Sequence, residues 1–166
     1  MIKGLDLASL RQGFFFGLNS GVVTTTGLLA GISQTSIKPV FLIASIVSLA
    51  ISDGASEAFG LYVSKKAHDF SDKTQGPLLS MISLFFTKFF IVLSFLLPFI
   101  FTKSLKYYKN LMWPIIWSLI LLAFLDYNLS KERDESFFRY YIPHILVVVF
   151  VMFSSRYFGK LLNKLE

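Results

Sequence analysis

Short polar connectors cut this chain into five long apolar runs, and that pattern leaves few folds open to it. A helix crosses a bilayer with about 20 mostly apolar residues, within a range of about 17–25. The runs fall at about Phe14 to Ile32, Pro39 to Val63, Leu78 to Thr102, Leu111 to Leu129 and Phe138 to Phe158. Composition agrees: 54% of residues are hydrophobic and 16% charged, and mean hydropathy is +0.63. Soluble domains carry about 25% charge. Nineteen phenylalanines among 166 residues are more than one small aqueous core can hide. The pattern predicts an all-α integral membrane protein with five transmembrane helices, a single transmembrane domain over residues 1–166, in a dimeric bundle. The N-terminal dozen residues, with Lys3, Asp6 and Arg11, are expected to form a short interfacial helix, and they lack a cleavage-site pattern.

Several function classes drop out. Without cysteine there is no disulfide framework, zinc finger, iron–sulfur cluster or thiol nucleophile. The sequence holds no phosphate-cradling glycine loop, no HExxH and no GxSxG, so an enzyme is not expected. The net charge of +6 suggests nucleic acid at first, but the 16 Lys and Arg are scattered between apolar runs. Basic loops flanking membrane helices account for them without a nucleic-acid partner. Counted by loop, eight basic residues fall on the side of the N-terminus and seven on the other, which leaves orientation open.

The spans differ in chemistry. The third and fifth, with FFIVLSFLLPFIF and ILVVVFVMF, read as lipid-facing. The first, FFFGLNSGVVTTTGLLAGI, carries Gly17, Gly21, Gly27 and Gly31 beside Asn19, Ser20 and Thr24, and with Gly13 just before it forms glycine ladders at Gly13, Gly17 and Gly21 and at Gly27 and Gly31. Such ladders let helix backbones approach closely in lipid. They are expected to pack two copies of the chain through span one, or to serve ordinary helix packing. Span two holds Asp53 and Glu57, four residues apart and therefore on one helix face, with Ser56 beside them. A charge deep in the bilayer costs about 2.5–3.5 kcal/mol even on lenient scales, so two acids imply a wet or paired interior. Stacked carboxylates suit a hard divalent cation or a proton relay. The structural alternative is an ion pair with Lys88 in span three, in which one lysine neutralises one acid.

Weaker candidates lie further along. His144, behind Pro143, could be a ligand or proton carrier, but a lone His near a membrane surface is more often a packing residue. Asp126 is expected to reach the interface at the end of span four. Trp113, Trp117, Tyr107, Tyr108, Tyr140 and Tyr141 suit interfacial aromatic belts. His68, Asp69 and Asp72 read as a solvated turn.

Two segments together resemble a known family. GLNSGVVTTTGLLAGI is similar to the first helix of the vacuolar iron transporter family, typically written N-D-G-L-V-T-T-F-x-L-V-A-G, and LAISDGASEAFGLYVSKK resembles its second-helix pattern, A-D-x-x-S-M-x-x-G-E-Y-x-S. Asn19, Gly21, Thr24, Thr25, Ala30 and Gly31 match the first, and Asp53, Ser56, Gly60, Tyr62 and Ser64 the second. The resemblance implies a homodimer with an ion path between the first two helices at its axis, and export of ferrous iron or manganese from the cytosol in exchange for protons. It also implies a cytosolic N-terminus, in a cell membrane if prokaryotic and in a vacuolar or other organelle membrane if eukaryotic. On that reading Asp53 and Glu57 carry the metal, Asn19, Ser20, Thr24 and Ser56 line the pathway, and no cofactor is permanently bound. The chain departs from the pattern where Ser20 replaces an Asp, Leu61 a Glu, and Glu57 a Met. The link between spans two and three is too short for the acidic metal-gathering domain of many members. Two other functions remain: a transport-inactive membrane scaffold or partner subunit, and a carrier of a different cation.

Overall fold

The computed structural model describes residues 6–35, 38–68, 75–102 and 111–164. Six helices, and no strand, occur among the described residues: α1 (Leu7–Ile32), α2 (Pro39–His68), α3 (Gly76–Ser94), α4 (Leu97–Thr102), α5 (Met112–Arg133) and α6 (Phe137–Leu162). All but α4 are long and apolar enough to cross a membrane. Backbone hydrogen bonds inside a helix need no outside partner, which is why apolar runs of this length fold this way in lipid.

Two boundaries differ in kind from the sequence expectation. Of the N-terminal dozen, residues 7–12 belong to α1 rather than to a separate interfacial helix, and residues 1–5, with Lys3, lie outside the described residues. α1 runs unbroken from Leu7, capped by Asp6, whose carboxylate accepts from the Ser9 amide at 3.1 Å and the Ser9 hydroxyl at 2.6 Å. Span three is not continuous. Pro98 has no N–H to give the Ser94 carbonyl and its ring crowds that oxygen, so α3 stops and the chain turns through Phe95 and Leu96 before α4. The freed end is held across the bundle, where the Trp117 indole donates to the Ser94 hydroxyl at 2.7 Å.

α1 is the central helix. Half of its apolar window is buried, against 11% for α6. Its first ladder lies on α3: a Cβ at Gly13 would sit 2.2 Å from the Ser80 carbonyl oxygen, and one at Gly17 2.7 Å from that of Leu84. Its second ladder lies on α6, where a Cβ at Gly27 would meet Val151 at 2.7 Å and Gly31 faces Ser155 and Gly159. The glycines expected to join two copies through span one therefore join helices within one chain. α3 correspondingly is exposed on one side only. Ser80, Leu84, Lys88 and Val92 form a fully buried row along it, and only the opposite side, with Leu78, Ile82, Phe86 and Phe90, is exposed. α6 is the most exposed of the five.

Direction follows from contacts at the ends. Lys65 near the end of α2 reaches Ser9 and Ser80 at the starts of α1 and α3, and Glu132 at the end of α5 pairs with Arg11. α1, α3 and α6 run one way, and α2 and α5 the other. Leu7 and Leu162 consequently lie at opposite ends of the bundle. Two apolar cores flank α1: one joins Leu29, Leu42, Ile46, Val92 and Phe95, the other Leu18, Val22, Leu122, Leu125 and Val148.

Candidate functional site

The ionic centre forms where α1, α2 and α3 meet. α3 is drawn against α1 by the glycines, so the row through Ser80, Leu84 and Lys88 faces inward. Lys88 is completely buried. An ammonium offers three donors and no acceptor. Its Nζ lies 2.5 Å from Asp53 Oδ2, 2.8 Å from Glu57 Oε2 and 2.7 Å from Ser20 Oγ. Ser20, having accepted from the ammonium, donates its own hydrogen to Glu57. Asp53 Oδ2 makes no hydrogen bond in this geometry, so its tie to Lys88 is the close charge contact alone. The sequence suggested one acid for one lysine. The structure places both on it.

With all three groups ionised the cluster holds one negative charge in excess. Lys88 is dry, whereas the side chains of Asp53 and Glu57 are 30% and 28% exposed. A cleft of about 330 Å³ between α1 and α2, lined by Phe16, Glu57, Gly60, Leu61 and Ser64, leads to the Glu57 carboxylate. Leu61 makes that cleft more apolar than an acid there would. The remaining pathway candidates are dispersed. The Thr24 hydroxyl donates to the Ser20 carbonyl at 2.8 Å, within its own helix. Ser56 is exposed on the outer face of α2. Asn19 faces away from the cluster, lining a cavity between α1, α5 and α6. Among the described residues no group of three or more His, Asp or Glu side chains is placed to hold a metal ion.

Asp126 does not reach the interface. It is completely buried, and its Oδ1 lies 2.7 Å from His144 Nδ1, so His144 packs against a charge partner rather than standing alone. A signal for this pair was present in the sequence: each residue lies seven positions in from the short connector between α5 and α6, which sets them at one depth on antiparallel neighbours. Trp113 and Trp117 stack on one another and pack against the first core. The Tyr140 hydroxyl donates to Glu135, and that of Tyr141 to the Leu119 carbonyl at 3.4 Å. Tyr107, Tyr108, Asp69, Asp72 and the side chain of His68 lie outside the described residues.

Compared with protein-family models, with curated proteins and with solved structures, the chain matches none.

Proposed function

We propose that this chain carries a cation across a membrane, with Asp53 and Glu57 as the ion-bearing carboxylates and Lys88 as an internal ammonium that holds them between loads. The observation that carries this reading is the buried Lys88 Nζ set between both acids, at 2.5 and 2.8 Å. A purely structural pair needs one acid per lysine. A second leaves excess negative charge in a low-dielectric interior, a costly arrangement that a passing cation would neutralise. The cleft at Glu57 supports the same reading by giving the ion an approach.

The cargo we assign is a divalent metal, ferrous iron or manganese, moved out of the cytosol in exchange for protons, with the N-terminus cytosolic. The motif resemblance in α1 and α2 to the vacuolar iron transporter family supports it. Charge arithmetic supports it further in a homodimer. Ala44, Ser48, Ser52, Ser56, Gly60 and Ser64 follow every fourth residue along α2, and all are exposed. Small and hydroxyl-bearing residues drive helix association in lipid, and this stripe adjoins Asp53 and Glu57. Two copies packed along it would gather four carboxylates and two ammoniums, an excess of two negative charges that one divalent cation matches.

A second reading, a transport-inactive scaffold, is favoured by one observation: Lys88 already lies against both acids, and Ser20 donates to Glu57. Metal-driven proton flux in liposomes separates the two. Transport predicts flux in the wild type and its loss in Asp53→Asn and in Glu57→Gln with the fold intact. The scaffold predicts no wild-type flux, with these variants changing only the melting temperature and Lys88→Met raising it in the double variant Asp53→Asn, Glu57→Gln, where the lysine has lost both acids. Flux of another cation with the same residue dependence would keep the site and change the cargo. Wild-type flux in the double variant Asp53→Asn, Glu57→Gln would end the transport-site reading.

A further inference from the structure

The half of the bundle on the other side of α1 holds a second buried ionisable group that the reading above does not use. Asp126 of α5 is completely buried and touches His144 of α6, whose side chain is 23% exposed. His144 lines a cavity of about 580 Å³ between α1, α5 and α6, together with Asn19, Phe15 and Leu125. The exposed Arg11, Gln12, Glu132 and Arg133 stand at its outer end. Two acceptors here are buried with no hydrogen-bond donor among the described residues: Asp126 Oδ2 and Asn19 Oδ1. A site short of donors is one that an added proton satisfies.

We propose that Asp126 and His144 form a proton-binding site, reached through this cavity from the end of the bundle that carries the start of α1. Uptake of one proton by the neutral imidazole gives an imidazolium that keeps its Nδ1–H on Asp126 Oδ1. The pair passes from a net charge of minus one to zero, and the new Nε2–H is a donor for the cavity wall. No bond other than N–H forms, and release returns the proton by the same path. Among the described residues, the charged and titratable groups facing the pair are few. From α1 there is Arg11, itself paired with Glu132 of α5; from α5 also Arg133; and from α6 Tyr141, one turn before His144 and bonded to Leu119. Arg11 and Glu132 compensate one another, so among the described residues Arg133 is the one cation they leave beside the cavity mouth. The proposal stands apart from any cargo at Asp53 and Glu57, which lie across α1.

The test needs no metal and no transport. In a His68→Gln background, with His144 then the sole histidine, the ring nitrogens of 15N-histidine protein in liposomes are followed from about pH 5 to 8, the window of an imidazole. The expected result is a titrating His144 whose imidazolium signal is lost across that window in Asp126→Asn. A His144 that does not titrate, or titrates alike in both proteins, overturns the proposal. Should Asp126→Asn fail to fold, His144→Gln replaces it: the infrared band of a protonated Asp126 carboxyl is expected to appear there and to be missing in the wild type at neutral pH, and its absence from both overturns the pairing. Access is read separately, because the chain has no cysteine of its own. Asn19→Cys is expected to react with a membrane-impermeant thiol reagent added on the side of Gln12 and not from the opposite side. Reaction from the opposite side, or from neither, overturns the route.

Discussion

Lys88 sets one ammonium against two carboxylates and the Ser20 hydroxyl, and the cost of removing it follows from what it leaves behind. Lys88→Met strands two carboxylates, and breaking a buried ion pair from one side costs about 3–5 kcal/mol. A marked fall in the melting temperature in detergent is expected, with partial recovery when Asp53→Asn is added. Equal melting of the two proteins would mean the pair is not held. Counting charges in the sequence paired this lysine with one acid; the structure sets both against it. Ser20 was legible as a pathway oxygen near the acids, but its part as relay between Lys88 and Glu57 was not, because it depends on how α1 turns against α2 and α3. A different residue governs the acid response of α1. The Ser9 hydroxyl and amide hold the Asp6 carboxyl below its ordinary value. A depressed carboxylate adds stability above its unfolded value, and that contribution is lost as pH falls through the folded one. Asp6→Asn should therefore speed amide exchange in the first turn of α1 at neutral pH and change nothing once Asp6 is itself protonated. A difference that persists in acid would remove the charge from the explanation.

Helix existence was legible and helix partnership was not. Apolar length marks a span whatever it packs on, whereas a glycine ladder says only that some backbone comes near. In α1 that backbone belongs to α3 and α6 of the same chain. The distinction gives two glycines opposite expectations. A methyl at Gly17 would lie 2.7 Å from the Leu84 carbonyl oxygen, so Gly17→Ala should cost about 1–3 kcal/mol by overpacking. A methyl at Gly60 meets nothing within 4 Å, and a helical Gly→Ala there should gain about 0.5–1 kcal/mol in the monomer. Thermal melts check the signs. If α2 is the dimer face, Gly60→Ala should also lower energy transfer between labelled copies in liposomes, and unchanged transfer would move the interface elsewhere. The break between α3 and α4 could have been anticipated from Pro98, since a proline late in an apolar run limits the helix before it. Pro98→Ala is expected to slow amide exchange at Phe95 and Leu96 as the two helices join.

At the scale of the molecule, one central helix divides the bundle into two halves, each with its own apolar core and its own buried ionic group. The up-and-down order was legible because short connectors force neighbouring spans to run antiparallel. Which spans become neighbours was not, since α1 meets α3 and α6 through close contacts that hydropathy does not encode. The alternation sets the ends of the chain apart. Gln12→Cys and Asn163→Cys should label from opposite faces of a sealed vesicle, and labelling of both from one face would contradict the arrangement of α1 and α6.

The Lys88 cluster also bears on how the chain enters a membrane as it is made. α2 arrives with two acids and meets its counter-charge only when α3 follows. Each charge alone costs about 2.5–3.5 kcal/mol to insert at mid-bilayer, so α2 is poorly suited to cross by itself and α2 with α3 is well suited as a hairpin. Glycosylation mapping should find α2 inserting inefficiently in isolation and efficiently when α3 is attached, with Lys88→Leu erasing much of the gain even though it makes α3 more hydrophobic. Such a chain would have to keep its second helix beside the insertion machinery until the third has been synthesised.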